Sequence, residues 1–283
     1  MNPGAARDVL TLVAGVFTGM LSGAFGVGGA VISTPAVRVL GASALLAVGT
    51  TLPSIFPSAL TGTVRYTREH LVDWSIVIWT APYGLVAAVG GSLLSHAVPG
   101  HGHVLMVLTA GLIGFTALRM VRTPDKAASD AARARMTAGP GAAETWDPTH
   151  PDLTGLPTEP SPRRLLVALT GVAAGALSGL LGVGGGVLLV PAYVDLLEMP
   201  IKTAIATSLA CVGLFAVPST VSHAFLGDID WTFAAFLAIG VVPGAWLGSS
   251  LATRASDRRL RLAVAVFLGL VSIIYAAGEI AAL

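Results

Sequence analysis

"LSGAFGVGGAVISTP" (Leu21–Pro35) returns half a chain later as "LSGLLGVGGGVLLVP" (Leu177–Pro191). Each copy sets a glycine cluster that breaks a helix inside sequence otherwise apolar enough to form one. Sliding the halves by 156 residues superposes Gly15 on Gly171, Gly19 on Gly175, Ser22 on Ser178, Gly23 on Gly179, Gly26 on Gly182, Gly28 on Gly184, Gly29 on Gly185 and Pro35 on Pro191. One further residue of shift brings "GTTL" at Gly49 onto "ATSL" at Ala206 and "LVDWS" at Leu71 onto "DIDWT" at Asp228. The chain reads as one unit written twice.

Its composition sets the solvent. Over 283 residues, 54% are hydrophobic and 11% charged, with a mean hydropathy of +0.80. Soluble domains carry about 25% charged residues, so the chain reads as an integral membrane protein. A net charge of +1 gives no footprint for nucleic acid. The single cysteine, Cys211, excludes an internal disulfide and reads as packing. The N-terminus has one arginine before a long apolar run and no cleavage-site pattern, so it reads as mature sequence.

Apolar stretches fall at about 9–40, 43–64, 74–98, 103–122, 164–197, 203–226, 231–253 and 259–282, in two sets of four. The expected domains are a first transmembrane repeat (1–122), a linker (123–162) and a second repeat (163–283). The linker carries seven prolines and much of the charge, a composition that cannot bury a core and reads as disordered. Basic residues in short loops stay cytoplasmic. If each glycine-rich segment turns back at "GVGG" as a re-entrant hairpin, only Arg7 and Arg38 of the 16 Lys and Arg residues lie outside. If it crosses once, the Arg254–Arg261 cluster falls opposite the arginine-rich linker. The expected fold is therefore all-α and polytopic: two inverted four-segment repeats, each a glycine-broken hairpin plus three transmembrane helices, with a cytoplasmic linker and both termini outside. Two short helices crossing in tandem would give the same sidedness.

Inside hydrocarbon, backbone that leaves the helix survives only when buried in protein or lining a wet cavity. Gly26, Gly28, Gly29 and Gly182, Gly184, Gly185, Gly186 therefore read as cavity backbone, with the next helix starting just after and presenting free N–H groups to an anion. The repeated hydroxyls Ser22, Thr50, Thr51 and Ser178, Thr207, Ser208 complete the candidate lining. Gly15, Gly19, Gly23 and Gly171, Gly175, Gly179 recur every four residues and read as close helix packing. Valines stand where the third glycine of a dinucleotide motif would fall, and no P-loop lysine follows. Asp73 and Asp230, each before a tryptophan, read as helix caps at the membrane surface. His223 lies in apolar sequence and is the candidate proton carrier, although Tyr66 holds the matched position. His96, His101 and His103 read as an external loop cluster. No nucleophile with a base and an orienting partner occurs, so an enzyme is not expected, nor is a cofactor or a resident metal.

These residues resemble the TauE/SafE sulfite exporter family. The likeness rests on the paired "GxxSGxxGxGGGxxxxP"-like motifs at Gly19–Pro35 and Gly175–Pro191, the steps Thr50-Thr51 and Thr207-Ser208, and the "DW" pairs. It spans nearly everything but the linker. The first copy departs at Ala30, where the second has Gly186. The resemblance implies a plasma-membrane transporter, commonly an exporter, of small sulfur-containing anions such as sulfite, sulfonates or sulfoacetate. A channel for small anions or neutral solutes is the alternative. The partners expected are that anion and the lipid bilayer, with homo-oligomerisation left open.

Overall fold

The computed structural model describes residues 3–39, 44–95, 103–122, 162–182 and 184–280. They form ten helices and no strand: α1 (Pro3–Phe25), α2 (Ala30–Val39), α3 (Ala44–Arg68), α4 (Trp74–Ser95), α5 (His103–Arg122), α6 (Pro162–Leu181), α7 (Gly186–Leu196), α8 (Ile201–Leu226), α9 (Trp231–Arg254) and α10 (Asp257–Ile280). Eight apolar stretches yield ten helices because each glycine-rich one divides, α1 from α2 and α6 from α7. The linker expected over 123–162 lies outside the described residues except Pro162, which opens α6; His96 and His101 lie outside them too.

Among the described residues, five helices are long and apolar enough to cross a membrane: α1, α4, α6, α8 and α9. Their outward faces carry large apolar side chains, such as Phe17, Val86 and Phe225, the last 88% exposed. Such a surface suits hydrocarbon and not water. The chain is a multi-pass membrane protein.

Where apolar side chains already face lipid, close backbone approach takes over from hydrophobic burial as the source of cohesion. The four-residue glycine rows do this, and they do it across the halves. A Cβ added to Gly15, Gly19 or Gly23 of α1 would run into the α9 backbone at Leu237, Val241 and Ala245. One added to Gly171, Gly175 or Gly179 of α6 would run into α4 at Thr80, Gly84 and Ala88. In both pairs the numbers climb together, so the helices run parallel.

The third helices of the two halves also meet. Gly62 faces Leu209 and Gly213 faces Ala59, so α3 and α8 lie antiparallel. The last helices do the same: Gly269 faces Ala117, and Ser272 donates to the Ala110 carbonyl at 2.8 Å, which sets α10 antiparallel to α5. Each first helix thus lies on the other half's fourth, while third meets third and last meets last.

Candidate functional site

The two breaks adopt one conformation. Gly26, Gly28 and Gly29 have φ of +70°, +85° and +64°, and Gly182, Gly184 and Gly185 have +62°, +86° and +68°. This left-handed region costs any residue with a Cβ, which accounts for glycine at each matched position. All six of these glycines are buried.

The tips rest on the partner half and then on each other. A Cβ on Gly26 would meet the Ile205 carbonyl and the Ser208 hydroxyl of α8, both at 2.7 Å, whereas one on Gly182 would meet Val48 of α3. Gly28 and Gly184 come together at the centre, where a Cβ on Gly28 would lie 3.5 Å from the Gly184 Cα. Gly186 packs on the Gly26 carbonyl and on Val27, which explains why the second copy needs glycine there while the first carries Ala30. Val212 and Ile55 close the junction: from a Cβ on Gly184 they would stand 3.2 and 3.4 Å away. Both are buried and occupy matched places on α8 and α3.

The six candidate hydroxyls divide into two kinds. Ser22 and Ser178 are buried, at 1% and 0% exposure, and neither oxygen has a hydrogen-bond partner among the described residues. The Ser22 side chain lies directly under Gly29. The other four are engaged. Thr50 Oγ1 accepts from the Asp230 N–H at 2.9 Å, and Thr207 Oγ1 accepts from the Asp73 N–H at 3.0 Å, so each ties a third helix to the turn before the other half's fourth. Thr51 donates to the Val48 carbonyl at 3.0 Å and accepts from Thr34 at 3.2 Å. The Ser208 hydroxyl stands 2.9 Å from the Gly26 carbonyl and holds the first tip to α8.

Asp73 and Asp230 are caps. Asp230 Oδ1 accepts from the Thr232 and Phe233 N–H groups at 3.0 and 3.2 Å, and Asp73 Oδ1 accepts from Ile76 at 3.2 Å. His223 is fully buried: Nε2 lies 3.2 Å from the Gly179 carbonyl and Nδ1 3.0 Å from Asp228 Oδ2. Tyr66, its counterpart, donates to the Gly23 carbonyl at 2.7 Å. Gly23 and Gly179 are themselves counterparts, so the two unlike side chains grip the same point of the first helix in each half.

Sequence reasoning missed two parts of this arrangement. One is the Ile55–Val212 plug, which apolar sequence cannot distinguish from ordinary core. The other is Asp228, whose signal was present: the two halves differ together at His223/Tyr66 and at Asp228/Leu71, and the two second-half residues touch. A cavity of about 280 Å³ between α5, α6 and α7 lies apart from the tips, lined by Phe115, Leu166, Leu169 and Pro191 with Arg119 and Asp195. Asp195 is ion-paired to Arg119 at 3.3 Å and lies 3.8 Å from Arg261.

A family model described as "Sulfite exporter TauE/SafE" matches residues 11–275. Among curated proteins, the chain is similar to a "Probable membrane transporter protein" of Xylella fastidiosa, 28% identical over 251 residues, covering 88% of this chain and 86% of that one. It is 30% identical over 270 residues to the "Probable membrane transporter protein YjnA" of Bacillus subtilis, covering 91% and 95% of the two chains. The "Probable membrane transporter protein YunE" of the same bacterium is 27% identical over 256 residues, covering 86% of each. No solved structure matches.

Proposed function

The chain belongs to the TauE/SafE sulfite exporter family, and on that premise we propose that it carries small sulfur-containing oxyanions (sulfite, sulfonates or sulfoacetate) outward across the plasma membrane by alternating access at the junction of the two glycine tips. The observation that carries this reading is the meeting of two left-handed glycine tips with an unpartnered buried hydroxyl, Ser22 or Ser178, in each half. A buried hydroxyl without a partner is unfavourable unless something else satisfies it. An oxyanion is such a partner. The Ala30 and Gly186 N–H groups that open α2 and α7 are bonded to the Gly28 and Gly184 carbonyls at 2.6 and 2.8 Å, and they would replace the anion's water by exchanging those tight turns for it, with no buried cation needed. Gly26, Gly28 and Gly29, with Gly182, Gly184, Gly185 and Gly186, let backbone approach it. Thr50, Thr51, Thr207 and Ser208 then serve at one remove, holding the tips and the helices that frame them.

Inverted repeats follow as part of the same proposal. Antiparallel α3 and α8, and antiparallel α5 and α10, are the arrangement that two oppositely oriented copies produce. With the basic residues counted as above, the 123–162 linker lies in the cytoplasm. The packed Ile55–Val212 plug favours a carrier over a pore: the junction opens only if α3 and α8 shift relative to the tips.

Flux into proteoliposomes with sulfite, methanesulfonate, sulfoacetate, acetate and chloride tests the reading. Saturable uptake of the sulfur anions, with exchange of labelled for unlabelled substrate, is the expected result. Unsaturable flux without exchange would make the protein a channel, and flux confined to acetate or chloride would remove sulfur anions as the substrate.

A further inference from the structure

We infer that His223 and Asp228 form a buried proton-binding site, and that this proton enters the junction's transport cycle together with the anion; the second clause rests on the transport reading above. A neutral imidazole has one N–H and one acceptor nitrogen. Here Nε2 faces the Gly179 carbonyl, which can only accept, so Nε2 is the donor. Nδ1 faces a carboxylate oxygen at 3.0 Å, which when ionised also only accepts. Two acceptors cannot be served by one N–H. The pair therefore holds an extra proton, either as imidazolium against carboxylate or as neutral imidazole accepting from a protonated carboxyl. In both forms it is neutral overall.

Removing that proton leaves a single negative charge and sets the Nδ1 lone pair against a carboxylate oxygen. The contact then breaks, because a buried, repelling pair is costly. Around the pair, α6 contributes the uncharged Gly179 carbonyl, α3 contributes the Gly49 backbone packed on Asp228, and the Asp228 N–H bonds the His223 carbonyl at 3.0 Å.

The site sits where it can matter. Gly179 lies three residues before Gly182, the first glycine of the second tip, and Gly182 rests on Val48, next to Gly49. A negative charge here opposes an anion at the junction; the protonated pair does not. Loss of the Nε2 bond also frees the end of α6 that carries the tip. The first half has no such device, since Tyr66 makes the matching bond without titrating at neutral pH and Leu71 replaces the carboxylate. Proton and anion are thus bound together, and by one half only.

Calorimetry of methanesulfonate binding to the purified protein, repeated in buffers of different ionisation enthalpy, reads the protons taken up; this anion stays ionised throughout, so any proton belongs to the protein. Flux into vesicles with a trapped pH dye reads co-movement. Across a pH series, wild type should take up a proton with the anion wherever the anion-free pair has lost it, and methanesulfonate entry should acidify the lumen. Asp228→Asn lets the amide donate to Nδ1, imitating the protonated pair in neutral form. It should keep anion affinity close to wild type and lose proton uptake and acidification. The double change His223→Tyr with Asp228→Leu, which copies the first half, should do the same. Anion binding without proton uptake in wild type at every pH of the series, or uptake undiminished in either variant, would overturn the proton site and leave the transport reading standing. Absence of binding and exchange of methanesulfonate, sulfite and sulfoacetate alike in wild type would overturn the transport reading, and with it the coupling.

Discussion

Ser22 and Ser178 offer a separation that few buried residues allow. Their hydroxyls have no partner among the described residues to lose, so Ser22→Ala and Ser178→Ala should leave thermal stability unchanged or slightly raised. If an oxyanion is their partner, affinity should fall about tenfold to a hundredfold, from losing a hydrogen bond to charge of about 1.5–3 kcal/mol. Isothermal titration beside a melting curve reads both, and unchanged affinity would remove these serines from the site. Thr50→Val and Thr207→Val should behave differently. Each deletes the acceptor of a backbone N–H, so stability should drop by about 1 kcal/mol whatever happens to binding. Sequence alone ranked all six hydroxyls equally, because repetition identifies a residue that matters and says nothing of which helix it faces.

At the level of elements, the glycine breaks were legible to within a residue or so, since no other reading suits a cluster that must take positive φ three times. Gly28→Val and Gly184→Val should abolish transport while the protein still inserts: each forces a β-branched residue into φ near +85° and presses on Val212. The glycine rows of α1 and α6 were legible as packing surfaces, but not what they pack on, because spacing carries no information about a partner. Gly19→Leu and Gly175→Leu should each destabilise by about 1–3 kcal/mol or more through overpacking. Gly90→Leu, with nothing within 4 Å of the added Cβ, should be silent in the same melting experiment. Equal losses at all three sites would mean that the helix crossings are not the packing seams described.

For the whole molecule, the proposed orientation predicts that cysteines placed at Ser129 and at Ser256, in a background with the buried Cys211 replaced by serine, are labelled by an impermeant reagent only after the cells are opened. Labelling of intact cells would refute inverted halves. The crossing of α1 onto α9 and of α6 onto α4 has a further consequence, for how the chain is made. Helix α1 leaves the ribosome long before its main partner α9, and until α9 arrives its glycine face has only lipid to meet. Neither half is a finished object on its own. Residues 1–142 and 143–283, expressed as separate chains, should each be degraded when alone and should restore transport when present together. Assembly is thus a closing step that waits for α9, and a premature stop anywhere before α9 leaves the quality-control machinery a membrane protein with an open seam.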